Sequence, residues 1–363
     1  MGRPLVAQIN LNALRHNYQL ALQAAASDQA IAVIKANAYG HGSIQVAQAL
    51  ADLAPAFAVA SIEEAEELKS AGIPHPLLLL EGFFSADELP LIFQRGYELM
   101  IHSSWQLECL KHYCSSSTTA KQPLTVWLKV DTGMHRLGFE PEQVQAVYSW
   151  LIQQPWVNQV ILTSHFAAAD QLDNPKTQIQ LEQLQNLQQQ LNCQISLANS
   201  PAILGWPQAA QGWLRPGILL YGASPLAPGH FWGDQLEAVM TLKSQLISVR
   251  HLAAGEAVGY GGRYITQQAT SIGIVACGYG DGYPRQAKDG TPVMVKGVRC
   301  GLAGRVSMDM LAVDLTGVPD PQPGDDVELW GKQLNINEVA QDCDTLSYTL
   351  LTGLLPRVPR CYI

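Results

Sequence analysis

Over roughly the first 220 residues, short apolar runs alternate with longer segments whose apolar side chains recur every three or four positions. The first run, Ala30-Ile31-Ala32-Val33-Ile34, carries β-branched residues and reads as a buried strand. Seven more follow: Ala56-Phe57-Ala58-Val59-Ala60, Leu77-Leu78-Leu79-Leu80, Glu98-Leu99-Met100-Ile101, Val126-Trp127-Leu128-Lys129-Val130, Val160-Ile161-Leu162-Thr163, Ile195-Ser196-Leu197-Ala198 and Trp213-Leu214-Arg215. Eight strand-helix units are the arithmetic of a (β/α)8 barrel of the TIM type. A doubly wound sheet could begin the same way. However, no GxGxxG follows the first run, and the polar residues of chemical interest stand at the C-terminal ends of several different runs, where barrels place their sites.

Between the runs, residues 11–26 predict a helix from Leu11, Leu14, Tyr18 and Leu22, and 43–53 predict another. Ser61 with Glu64 three places on is the capping-box pattern for a helix that runs to Ala71 before Gly72 stops it. The Gln-rich segment 177–191 keeps a stripe of Leu181, Leu184, Leu187 and Leu191, so it predicts a helix whose glutamines face solvent. Pro225, Pro228, Gly229 and Gly233 then form a linker, and from about residue 240 short Val/Ile/Thr-rich runs are broken by Gly, Asp and Pro. The expected organisation is a barrel over 1–233 and a mainly β C-terminal domain over 234–363. In the latter, runs 242–249, 271–277, 291–295, 310–315 and 327–330 are strands, and 336–342 and 348–354 are short helices. The early run 6–11 can pair with either unit.

Charge and cysteine usage exclude several function classes. A net charge of −9 with no Lys/Arg block argues against nucleic acid or an anionic membrane surface as the main partner. No leader-like apolar segment and no stretch of about 20 apolar residues is present, which predicts no membrane span. Seven cysteines without CxxC spacing predict neither a disulfide framework nor a metal site, and place the chain in a reducing cytoplasm.

The run ending at Ile34 leads straight into Lys35-Ala36-Asn37-Ala38-Tyr39-Gly40-His41-Gly42. An ammonium at the end of a buried strand is costly unless it reaches solvent, is paired, or is converted to a less charged form such as a Schiff base. A Schiff-base lysine needs a cofactor phosphate site and a partner for a pyridine ring. Asn199-Ser200-Pro201 joins a strand to a helix and could hold an anion there, although Ser200 also suits a plain helix cap. Arg215-Pro216-Gly217-Ile218 follows the last run, where barrels often bind phosphate.

The stretch 33–42 resembles the pyridoxal-phosphate attachment motif of the alanine racemases. Lys129-Val130-Asp131-Thr132-Gly133-Met134-His135-Arg136-Leu137-Gly138, His165, Asn199-Ser200, Arg215-Pro216-Gly217-Ile218, Gly259-Tyr260-Gly261, Gly278-Tyr279-Gly280-Asp281-Gly282-Tyr283-Pro284-Arg285 and Gly304-Arg305-Val306-Ser307-Met308-Asp309 resemble later motifs of that family in the same order. The resemblance runs from near Ile9 to the C-terminus and implies the same architecture, a pyridoxal-phosphate barrel with a C-terminal β domain.

It further implies that Lys35 carries the cofactor covalently and acts as one of two bases at the Cα of an amino acid. Tyr39, Ser200, Gly217, Ile218 and Tyr348 would bind the phosphate, beside Asn199. Arg215 would face the pyridine nitrogen, with His165 hydrogen-bonded to it. Arg136 would contact both the cofactor's phenolic oxygen and the substrate carboxylate, and Lys129 matches a position that is carbamylated in many relatives. Tyr260 is the implied second base and Met308 a backbone donor to the carboxylate, both supplied by the other subunit of a homodimer. Tyr279, Arg305, Asp309 and Tyr348 would form an inner ring at the mouth of the site. A free phenol has pKa near 10, so at neutral pH about one in a thousand is ionised, roughly 4 kcal/mol against the phenolate that Tyr260 must become. The implied activity is interconversion of L- and D-alanine, supplying D-alanine for peptidoglycan. A racemase of other specificity such as serine, or a non-catalytic cofactor-binding protein, are the alternatives.

Overall fold

In the computed structural model, which describes residues 2–27, 29–116 and 122–363, the chain opens with β1 (Val6–Ile9). Asn10 then caps the helix Leu11–Ala25, its Oδ1 accepting from the N–H groups of Asn12 and Ala13. The apolar runs become β2 (Ile31–Val33), β3 (Ala56–Val59), β4 (Leu77–Leu79), β5 (Glu98–Ile101), β6 (Leu124–Lys129), β7 (Val157–Thr163) and β8 (Gln194–Ser196). These seven pair in parallel and in chain order. Every residue of β2, β3 and β4 is buried, as strands covered on both faces require.

The eighth run forms no regular strand, yet residues 213–215 fill the eighth position. Leu214 bridges Ala30 and Arg215 bridges Asn199, both in parallel sense. Ile31 N–H donates to Leu214 O, and Arg215 N–H to Ala198 O, each at 2.9 Å. Pro216 has no N–H to donate, but its carbonyl accepts from Val33 N–H at 3.0 Å, so a short ladder joins the first and last strand positions.

The second unit is built from β9 (Met240–Leu252), β10 (Ala257–Val258), β11 (Tyr264–Ile265), β12 (Thr270–Val275), β13 (Pro292–Val295), β14 (Val298–Leu302), β15 (Leu311–Asp314), β16 (Asp326–Trp330) and β17 (Arg360–Tyr362). Strands β12, β15, β14, β13, β16 and β9 are neighbours in that order, and β12 pairs again with β9, so these six close on themselves. Strand β1 joins this sheet, antiparallel to β9 and parallel to β17. Ala7 and Ile9 face its core while Val6 and Gln8 are only half-buried. Helices Ile336–Asp342 and Ser347–Thr352 precede β17.

Two local expectations are corrected. Ser61 stands at the N-cap of the helix Ile62–Ser70, but its hydroxyl makes no cap bond and Glu64 does not reach back to it. The Glu64 carboxylate instead accepts from Ala36 N–H at 2.7 Å and Ala60 N–H at 2.8 Å, two strand-end donors that compete for it more effectively. In the helix Pro175–Leu191, Gln180 is buried alongside Leu181 and Leu184, so not all the glutamines face solvent. No two of the seven cysteines are joined in a disulfide. Among the described residues no helix is long and apolar enough to cross a membrane.

Candidate active site

At the C-terminal ends of the barrel strands lies a cavity of about 1240 Å³. It brings together Lys35, Tyr39, Lys129, Arg136, His165, Asn199, Ser200, Arg215, Gly217, Ile218 and Tyr348. Tyr260, Tyr279, Arg305, Met308 and Asp309 do not line it. Tyr260 is 71% exposed and Met308 53% exposed on the C-terminal unit.

Lys35 enters the cavity where β2 leaves its ladder. The four residues after it, Ala36, Asn37, Ala38 and Tyr39, have φ of 53, 54, 51 and 52°, and Gly40 follows at 82°. A left-handed turn costs about 1–2 kcal/mol per non-glycine residue, so the surroundings must impose it. Ala38 N–H donates to Ile34 O at 2.8 Å, Gly40 N–H to Ala36 O at 3.0 Å, and Asn37 Oδ1 accepts from Ser43 N–H at 2.9 Å. The C-terminal unit grips the far end: Arg360 Nε donates to Gly40 O at 3.2 Å, and the Tyr362 hydroxyl to His41 O at 3.0 Å. A Cβ at Gly40 would lie 2.2 Å from Leu351 O, so only glycine fits.

Tyr39 stacks on Tyr221 with ring centroids 4.7 Å apart, and the Tyr221 hydroxyl donates to Val33 O. Burial holds the Tyr39 phenol well above its usual range and pushes Tyr348 up to about 12, so both keep their protons and can donate to an anion. Asn199, not Ser200, caps the helix Ser200–Gly205, its Oδ1 accepting from Ala202 N–H. That leaves the Ser200 hydroxyl to accept from Gly217 N–H at 2.9 Å. A Cβ on Gly217 would stand 2.8 Å from the Tyr39 hydroxyl and 3.8 Å from Ser200 Oγ. Glycine therefore leaves a space between two hydroxyls that a phosphate oxygen fits.

The rest of the cavity is strongly cationic. Burial, then the charges of Arg215, Arg136 and Lys35, pull Lys129 down to about 8. Burial alone pulls Arg215 down to about 10, which leaves it cationic at neutral pH. Its guanidinium donates to Thr163 Oγ1 at 2.9 Å, Ser196 Oγ at 2.5 Å and Ser164 O at 2.5 Å, all neutral acceptors. A buried cation set among neutral acceptors favours an anionic, electron-rich ligand. Thus the residues present suit pyridoxal phosphate: a lysine to bear it, a cradle for its dianion, and an arginine for its ring.

His165 is placed differently from the expectation. The Arg215 donors go to Thr163 and Ser196, the last residues of β7 and β8, and to Ser164 O just past β7, while the His165 ring lies 3.5 Å from Asn199 Nδ2. His165 feels Arg215 through its field: burial first, and Arg215 next, hold the imidazole well below its usual pKa. Buried Gln180 fixes this loop, donating to His165 O and Thr132 Oγ1 and accepting from Ala167 N–H. On the facing loop, Asp131 Oδ1 accepts from Gly133 and His135 N–H, shaping the turn that carries Arg136. Sequence reasoning passed over Thr163, Ser196 and Gln180. For Thr163 and Ser196 the signal available was a hydroxyl inside an otherwise apolar barrel run.

Comparison with known proteins identifies the family. The sequence profile of the alanine racemase N-terminal domain matches residues 9–225, and that of the C-terminal domain matches 239–362. The chain is 53% identical over 363 residues to the alanine racemase of Chromohalobacter salexigens, covering 100% of this chain and 98% of that protein. The solved biosynthetic alanine racemase of Pseudomonas aeruginosa superposes with a TM-score of 0.94 at 49% identity, covering 99% of both chains. The alanine racemase of Bartonella henselae, solved with covalently bound pyridoxal phosphate, superposes at 0.89 with 30% identity over 99% of each chain. This chain belongs to the alanine racemase family.

Proposed function

We infer that the chain interconverts L- and D-alanine with pyridoxal 5'-phosphate borne by Lys35. The observation that carries this reading is the meeting in one cavity of a strand-end lysine followed by a strained left-handed turn, a two-hydroxyl anion cradle and a buried Arg215 set among neutral acceptors. When bound, the cofactor supplies an electron sink for the charge left as Cα loses its proton. Lys35 moves a proton on one face of Cα, and Tyr260 of the partner subunit on the other. Tyr39, Ser200 and Tyr348 donate to the phosphate. Arg215 holds its protons too tightly to give one to the pyridine nitrogen, so it restrains the sink and directs protonation back to Cα. Arg136 offers its fork to the substrate carboxylate, joined by the backbone N–H of the partner's Met308.

The exposure of Tyr260 and Met308, outside a cavity that holds the barrel residues, supports a homodimer with shared sites. Tyr279, Arg305 and Asp309 would narrow the mouth of the site from that second chain, which favours a methyl side chain over larger ones. We place the protein in the cytoplasm, supplying D-alanine for peptidoglycan. In D₂O, L-alanine should lose optical rotation and gain deuterium at Cα, with L-serine and L-lysine much slower. Retained rotation with alanine overturns the reading. Loss of the gene should impose a growth requirement for D-alanine; unaided growth removes the supply role.

Lys129 is suited to carbamylation. A lysine at about 8 is roughly one-tenth neutral at pH 7, against well under a thousandth at its ordinary value. The resulting anion would sit among Arg136, Arg215 and Lys35 and orient Arg136. Equilibration with ¹³C-bicarbonate should give a carbamate carbon signal that grows as pH rises from about 6 to 8 and is absent in Lys129→Ala. No signal in the parent protein rules the modification out.

A further inference from the structure

The backbone ladder between β2 and β3 ends at Val33 opposite Ala58, with Ile34 N–H donating to Ala58 O at 2.9 Å. Beyond that point the chain after Lys35 swings into the left-handed turn, and the Ala36 N–H loses any carbonyl across the ladder. Ala60, just past the end of β3, is left in the same condition. One carboxylate serves both: Glu64 Oε1 accepts from Ala36 and Oε2 from Ala60. Charge-assisted bonds of this kind are about twice as strong as neutral ones. Glu64 thereby ties together the C-terminal ends of two adjacent barrel strands at the peptide that leaves Lys35.

The far end of the turn has its own anchors in Arg360 and Tyr362. At the near end, the plane of the Lys35–Ala36 peptide is set by the bond to Glu64, and with it the direction in which the lysine leaves the backbone. We propose that Glu64 is a positioning residue that aims the Lys35 amine at the cofactor carbon and at Cα. It acts through the backbone and touches no reacting atom. The proposal rests on Lys35 being the lysine that bears the cofactor.

The chemistry of the carboxylate orders the variants. Ala removes both acceptors. Gln keeps one acceptor and turns an N–H toward the other donor, so it restores part of the function. A misplacement near 1 Å costs on the order of 100-fold in rate. In holoenzyme, Glu64→Ala should lower kcat for L-alanine by about 100-fold with KM changed less than about threefold, and Glu64→Gln by about tenfold. The distinguishing readouts are borohydride trapping of pyridoxal phosphate on the Lys35 peptide, followed by mass spectrometry, and amide hydrogen exchange at Ala36 and Ala60. Trapping should slow in the same order as kcat, and both amides should exchange faster while the melting temperature stays within a few degrees. If Glu64→Ala does not fold, Glu64→Gln decides the matter by the same measurements. Trapping and kcat at parent levels in the folded variants overturn the proposal alone. Absence of trapping at Lys35 in the parent protein overturns the cofactor reading and this proposal with it.

Discussion

Replacing Lys35 with Ala should abolish racemisation, with kcat/KM for L-alanine falling by at least about 10⁴-fold, or some 5.5 kcal/mol of transition-state stabilisation. The same variant should lose the visible absorbance that a lysine-linked cofactor gives. Both losses follow from one position: Lys35 follows β2 into the cavity that also holds the cradle of Tyr39, Ser200 and Gly217. The fold should persist, because the turn is held by Glu64, Arg360 and Tyr362 rather than by the lysine itself. Circular dichroism and melting temperature check that. Activity within 100-fold of the parent would move the cofactor to another amine, with Lys129, lowered to about 8, the nearest candidate.

Tyr260→Phe removes a single oxygen and should keep the cofactor absorbance while lowering racemisation by about 10²–10⁴-fold, the span of general acid-base catalysis. Exchange of Cα hydrogen with D₂O should survive for one enantiomer only, because Lys35 still works its own face. Mixing the two inactive variants tests whether the site is shared. In a symmetric dimer, a hybrid of Lys35→Ala with Tyr260→Phe has one site missing both bases and one with both intact. Random reassociation then restores about a quarter of the parent activity. Recovery of none would place Tyr260 and Lys35 of one chain in the same site and contradict the partner-supplied base.

The fold was legible because barrel strands buried on both faces must be apolar, and eight such runs stand out against leucine-striped helices. The weakest of them, 213–215, is also the one that forms only bridges. Lys35 was legible because a charge at the end of an apolar run is conspicuous, whereas Arg215 and Lys129 took their roles from the family resemblance. The supporting groups were not. Glu64 presented the spacing of a capping box, and no local rule announces that two strand-end N–H groups nearby will compete for its carboxylate. Thr163 and Ser196 read as ordinary strand residues until Arg215 arrives from a distant run to use their hydroxyls. The left-handed turn was the least legible, since Ala36, Asn37, Ala38 and Tyr39 adopt it against their own preferences.

The grip of Arg360 and Tyr362 on Gly40 and His41 spans 320 and 321 positions of sequence. At about 5–20 residues per second, a ribosome needs roughly 16 to 64 seconds to travel that far. For all that time the nascent lysine turn lacks its last two anchors, although the barrel strands flanking it have already emerged. The lysine turn is therefore completed late in synthesis, by a segment made long after the one that carries the amine.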